Sequence, residues 1–418
     1  MLANPSVPRQ PLDDLKYLPL ASNAYLSLGA DLRERFEAND AANFDVGGAN
    51  AQNYVLSRME AHGDLRWGRL QAFVQLQSEF APGKANLAPV DQNRVDLEQA
   101  FLGYTTELGD GILRLHAGRQ QIAFDSQRFV SVRDGPNIRQ SYDALWASYE
   151  TGAWLFSTFF SLPVQNRDLR AFDDTSSNHL TYGGVRAQFQ LTEDSNITVV
   201  LSNYKQDQTH FLSVSGTELR NIADFRYAGR AGGLDWDAEW MAQSGHIASR
   251  SIRAWAVGSR LGYTFEDAGW APRLGLQVDA ASGNDAANRQ TLGTFNPLFP
   301  NGSYLTRAGY TGYVNFIHLN PSLTVSPRKD MTVMLAIAAQ WRENTTDAVY
   351  TQPDNPVPGT AGRGGRYTGT YLHGRMDWQV TPHFTTTLEA VRFQVAGAIR
   401  QAGGHDATYL GIEEKFGW

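Results

Sequence analysis

Between residues 118 and 140 the chain reads GRQQIAFDSQRFVSVRDGPNIRQ, with four arginines (Arg119, Arg128, Arg133, Arg139), two aspartates (Asp125, Asp134) and no lysine. A guanidinium is a planar fork that grips carboxylate or phosphate oxygens two at a time, whereas an ammonium is a point charge. The whole chain shares this preference: of 36 basic residues, only Lys16, Lys84, Lys205, Lys329 and Lys415 are lysine. High-GC coding would give the same bias. Four fixed cations against two local acids nevertheless leave a surplus suited to an anionic solute. Gly118 is expected to break a strand so that the segment can leave it and fold inward. Gly135-Pro136 is expected to turn it. The competing reading is a surface loop whose arginines pair with Asp125, Asp134 or lipopolysaccharide phosphates.

Other chemistries find little support. There is no cysteine, so thiolate nucleophiles and thiolate metal sites are excluded. The nine histidines are scattered, without HExxH, and no GxSxG occurs. His373, Asp377 and Ser303 could be grouped as a triad, but nothing in their spacing requires it. The sequence therefore predicts no enzyme, no metal and no cofactor. A net charge of −7 argues against a nucleic-acid partner.

The elements that must position these residues have period two. In MTVMLAIAAQWRE, Met331, Val333, Leu335, Ile337, Ala339 and Trp341 share one apolar face. In LDWDAEWMAQ, Leu234, Trp236, Ala238 and Trp240 oppose Asp235, Asp237 and Glu239. Eighteen such segments begin near residues 24, 52, 67, 93, 111, 142, 153, 179, 196, 218, 233, 251, 271, 313, 330, 366, 383 and 406. Brief turns such as 109–111 and 150–152 alternate with longer links at 38–51, 81–92, 119–141, 165–178, 282–312 and 343–365. No apolar run is long enough for a spanning helix.

Alternating link lengths, strands near ten residues and an apolar-out, polar-in dyad describe a transmembrane barrel. The predicted fold class is all-β: a single transmembrane antiparallel β-barrel of about 18 strands, with short periplasmic turns and longer extracellular loops. Residues 22–418 would form it, with an inward loop near 118–140, and residues 1–21 would be a periplasmic or lumenal segment. The N-terminus lacks the pattern of a signal peptide, which a mature secreted chain with an added Met would explain, as would a cytoplasmic protein; the barrel pattern places the chain in the outer membrane. On this phase Arg114, Arg226, Arg342, Arg375, Asp377 and Tyr371 face the lumen, the last able to stack on rings or sugars. Inward charges of opposite sign would also brace the wall across strands.

The pieces LEQAF (97–101), GRQ (118–120), SQRFVSVRDGPNIRQSYD (126–143), GRAGGLDWDAEWM (229–241) and TFNPLFPNGSY (294–304) resemble the alginate export family of Gram-negative outer-membrane proteins. The resemblance implies an eighteen-stranded barrel and an arginine-lined constriction that passes a polyuronate. It makes Arg119, Arg128, Arg133 and Arg139 the constriction residues. The outer links are modest for that family, and none announces itself as a plug; link 282–312 reads as an ordered cover over the mouth. The expected function is a passive channel for anionic solutes such as uronate oligo- or polysaccharides, with an uptake porin for small aromatic or organic acids as the alternative. Expected partners are outer-membrane lipid, lipopolysaccharide and the anionic solute, with the chain acting as a monomer.

Overall fold

The computed structural model describes residues 12–48 and 51–418. Eighteen long strands run in sequence: β1 Ala24–Asn39, β2 Gln52–Trp67, β3 Leu70–Phe80, β4 Asn93–Leu108, β5 Gly111–Gln120, β6 Tyr142–Thr151, β7 Trp154–Gln165, β8 Leu180–Thr192 and β9 Ser195–Phe211. They continue as β10 Val214–Ala231, β11 Leu234–Ile247, β12 Arg250–Thr264, β13 Arg273–Ala281, β14 Phe316–Arg328, β15 Met331–Trp341, β16 Tyr367–Thr381, β17 Phe384–Val395 and β18 Ala407–Gly417. Each pairs antiparallel with its neighbours in sequence, and β1 pairs with β18 from Asp31↔Gly417 to Asn39↔Tyr409. The sheet thus closes on itself, and none of the eighteen described strands is a free edge strand.

The phase read from the sequence is the phase observed. Leu102, Leu145 and Leu335 are more than half exposed on the outer face, while Arg33, Arg58, Glu79 and Glu239 are buried within. Trp67, Trp154, Tyr263 and Trp270 lie exposed beside the short turns, forming the aromatic girdle of one interface. In outer-membrane barrels the end with short turns faces the periplasm.

Link lengths depart from strict alternation. The outer end has two-residue turns at 212–213 and 248–249, whereas the inner end has an eight-residue link, 265–272. Of the expected segment 1–21, residues 1–11 lie outside the described residues. Its remainder includes Leu18–Ala21, which pairs with the start of β1 and extends the sheet beyond β18.

The interior is filled. An aromatic cluster joins Phe124, Phe129 and Val130 of link 121–141 to Phe295, Phe299, Tyr304 and Tyr313 of link 282–315. Both pack on inward wall residues, among them Tyr182, Tyr204, Ile222 and Met241. The expected mouth cover is therefore an insertion into the lumen. Its Phe and Tyr rings exclude water only if they reach the wall's apolar patch.

Candidate functional site in the lumen

Three outer links meet inside the barrel: 121–141, 282–315 and 342–366. The first two are joined by a parallel bridge between Val130 and Phe299. Ser131 N donates to the Phe299 carbonyl at 3.0 Å, and Phe299 N to the Phe129 carbonyl at 2.9 Å. They approach so closely at Gly135 that an added Cβ would stand 3.3 Å from Gly302 Cα. Gln352 of the third link donates to the carbonyls of Gly302 and Thr306.

Link 121–141 is held at two sides by opposite chemistries. Toward β11, Arg128 is 1 % exposed and forms ion pairs with Glu239 and, at 3.2 Å, Asp237. Its Nε donates to the Tyr304 hydroxyl at 2.7 Å, and that hydroxyl donates to Asp279 at 2.9 Å. Toward β1, β2 and β18 the wall supplies the cations. Arg33 Nη1 donates to the Asp134 carbonyl (2.9 Å) and Arg35 Nη2 to the Gly135 carbonyl (2.5 Å). The Asp134 carboxylate receives Arg58 Nη2 (2.5 Å), Arg139 Nε (2.9 Å) and Lys415 Nζ (3.2 Å). Burial alone would raise the Asp134 pKa, but these cations and Arg33 hold it well below the usual carboxylate range. Asn137, fully buried, donates to the carbonyls of Ser57, Phe80 and Asp91.

Three of the four loop arginines are thus neutralised, contrary to the expected surplus. Arg139 takes Glu60 with Nη1 at 2.8 and 3.0 Å in addition to Asp134. Arg119 remains in the wall, gripping Asp143 at 3.0 and 3.2 Å and reaching the Leu97 carbonyl. Its phase is opposite to that of Gln120, whose partner Tyr142 packs on Phe299 in the lumen. Gly118 adopts φ 130° because a Cβ would lie 2.4 Å from the Ala100 carbonyl oxygen; β5 continues through it to Gln120. The chain leaves the wall two residues later than expected.

Arg133 is different. Its backbone is left-handed (φ 54°), and its guanidinium forms no hydrogen bond or ion pair with any described residue. Burial lowers its pKa, since only the more distant Tyr142 and Asp354 act in the opposite direction. An arginine stays charged regardless. It lines a cavity of about 330 Å³, bounded also by Arg35, Arg128, Arg307, Lys84, Glu37 and Asp91. Five cations therefore border this space against two carboxylates.

The other predicted residues are not brought here. Arg114 pairs with Glu150 at 2.9 Å and is partly exposed. Arg226 binds Asp237 and approaches Asp125 to 3.6 Å. Arg375 and Asp377 pair with each other at 2.7 Å, and Arg375 also meets Glu389. Arg342 donates to the carbonyls of Thr345, Asp347, Thr360, Arg363, Gly364 and Gly365, so it clasps its own link. Tyr371 is buried, bonded to His318 Nε2 at 2.9 Å and stacked on Phe393, out of a solute's reach. His373, Asp377 and Ser303 have separate partners, respectively Glu389, Arg375 and Asn301, so the forced triad does not assemble. The sequence reading missed Arg307, which spans Glu413 (2.8 Å) and Glu389 (3.8 Å) at the cavity. It sits in an irregular link, where no strand phase reveals direction.

The family model for alginate export matches residues 24–413. The chain belongs to the alginate export family. Solved structures with the same fold include Pseudomonas aeruginosa OccD3 (OpdP), at TM-score 0.62 and 12 % identity, covering 97 % of this chain and 93 % of that one. P. aeruginosa OccK11 (OpdR) aligns at TM-score 0.59 and 11 % identity over 94 % and 95 % of the two chains. The P. aeruginosa outer membrane protein opdK aligns at 0.58 and 9 % over 94 % and 99 %. A comparison with the curated proteins finds no match. Family and fold together make the alginate-export chain an outer-membrane β-barrel channel of porin-like fold.

Proposed function

We propose that this barrel is a passive channel favouring anionic, carboxylate-bearing solutes, with Arg133 as the residue that meets them. The observation carrying this reading is the Arg133 guanidinium, unpaired and facing a cavity whose other bordering cations, Arg35, Lys84, Arg128 and Arg307, are each ion-paired. A carboxylate could take both arms of that fork without displacing an existing partner. Wall charges already matched to one another add little net attraction.

The size of the space bears on the solute. At about 330 Å³ the cavity lies at the small end of ligand sites. Tyr54, Tyr304, Tyr313 and Tyr409 supply aromatic walls. This favours a single uronate residue threaded end-on or, as the second reading, a small aromatic or organic acid taken up singly. Reversal potentials across a planar bilayer in a salt gradient test the charge preference; cation preference would sink both. Current block by a monomeric uronate, an oligouronate and benzoate then separates the two solute classes.

A further inference from the structure

The wall is low between β4 and β7, because β5 ends at Gln120 and β6 begins only at Tyr142. Outer link 166–179 crosses this notch. Thr175–Ser176 pairs with the end of β7, and Phe172 N donates to the Val95 carbonyl on β4. Where the link reaches β4, Asp173 and Asp174 come against Asp96. Their carboxylate oxygens all lie within 4.8 Å of one another, and all three residues are buried. Oxygens no farther apart than this can share one calcium ion, whose ligands stand at roughly 2.3–2.6 Å.

Three acids together are not in themselves a site. The side chains around them are also short of partners. Asn93 is 1 % exposed; its Nδ2 donates to Asp174 Oδ2 at 2.8 Å, which places its amide against the cluster. Its Oδ1 accepts no hydrogen bond from the protein. Directly opposite Asn93 in the ladder stands Glu79, 0 % exposed, with neither carboxylate oxygen accepting a bond and with Asp174 among the charges acting on it. Asp173 Oδ1 is likewise without a donor. Arg119 Nη1 is the near cation, 3.8 Å from Asp96, but its closer partner is Asp143. Backbone N–H groups of Leu97, Asp173 and Asp174 donate to Asp96, Arg167 N to Asp174 and Arg170 N to Asp173, and Arg58 acts on Glu79. Asp173 Oδ1 and both Glu79 oxygens are nevertheless buried without a donor, which is costly unless a cation joins them.

We propose that Asp96, Asp173, Asp174, Asn93 and Glu79 bind a calcium ion that pins link 166–179 over the notch. Oxygen-only donors from three chain segments suit a hard cation with an adaptable coordination shell, and calcium better than magnesium, which demands a near-octahedral set. The inference is independent of which solute the channel carries.

The full chain, refolded in detergent without lipopolysaccharide, is titrated with calcium by calorimetry and digested with trypsin, which can cut at the exposed Arg167 and Arg170. The expected result is binding at about 10⁻⁴ to 10⁻³ M, the range of extracellular calcium sites. Cleavage in link 166–179 should be suppressed by calcium and much less by equal magnesium. Asp173→Asn and the milder Glu79→Gln should each weaken binding roughly tenfold or more while the barrel still forms by circular dichroism. No binding by the wild-type chain overturns the proposal, as does unchanged affinity in a folded variant. Protection by mild acid alone, without calcium, also overturns it, since protons would then neutralise the cluster.

Discussion

Link 121–141 is gripped on two flanks of the lumen, and the flanks work in opposite ways. On the β11 side, wall carboxylates hold a side chain, Arg128. On the β1, β2 and β18 side, wall arginines hold backbone carbonyls and the Asp134 carboxylate. Both flanks consume their charge in anchoring. The cation left for a solute is Arg133, whose guanidinium neither flank engages. A count of inward arginines therefore overstates the field in the pore, because most of those charges hold the loop in place.

The strongest test of this contrast is Arg128→Met. It strands Glu239 without its buried arginine, while Asp237 keeps Arg226, a loss of roughly 3–5 kcal/mol in the docking of the link. Faster amide exchange across 121–141 and a larger single-channel conductance are the expected readings; an unchanged link would mean that the aromatic cluster alone holds it. Asn137→Ala attacks the other flank. It removes the donor to the Ser57, Phe80 and Asp91 carbonyls and the acceptor of Arg33 Nη2, and should cost about 1–3 kcal/mol, read in the same exchange experiment.

Arg133→Gln should do the reverse. Docking and melting temperature stay as in the wild type, since no partner is lost, while the reversal potential moves toward zero as anion preference declines. If selectivity survives, the solute-facing charge lies elsewhere on the cavity border. Acid provides a subtler probe. The folded-state pKa of Asp134 is depressed, so the docked link binds fewer protons than the undocked chain. Its contribution is complete above the ordinary value near ~3.9 and disappears only as pH falls through the lower folded value. Conductance should thus stay flat from neutral pH to about 4 and rise in stronger acid. The smallest effect is expected from Arg114→Ala: its exposed pair with Glu150 contributes at most about 1 kcal/mol, and selectivity should not move.

The barrel was legible because side-chain direction in a strand has period two, a local property. Leu335 and Ile337 announce the lipid face within a few residues of each other. Even Gly118, read as a breaker, yielded to the ladder, since a glycine at close strand approach looks the same in sequence as one at an exit. The site was legible only in composition. Arg128 and Glu239 are 111 positions apart, so nothing local distinguishes Arg128, fully matched, from Arg133, unmatched five residues later. Arg342 and Tyr371 were misread for the same reason. Their phase was right, but the irregular links that occupy the lumen take up their bonding capacity, and irregular links have no period to read.

The closing seam has a consequence for biogenesis. Arg33 and Arg35 belong to the first strand, Glu413 and Lys415 to the last, and they meet as register partners, Arg33 with Lys415 and Arg35 with Glu413. The same four side chains surround residues 134 and 135 of the inserted link. Half of that clasp does not exist until β18 arrives, so the zipping of the cylinder and the seating of its inner loop finish as one event. A nascent chain stalled before its final strand would be an open sheet with its loop unlatched.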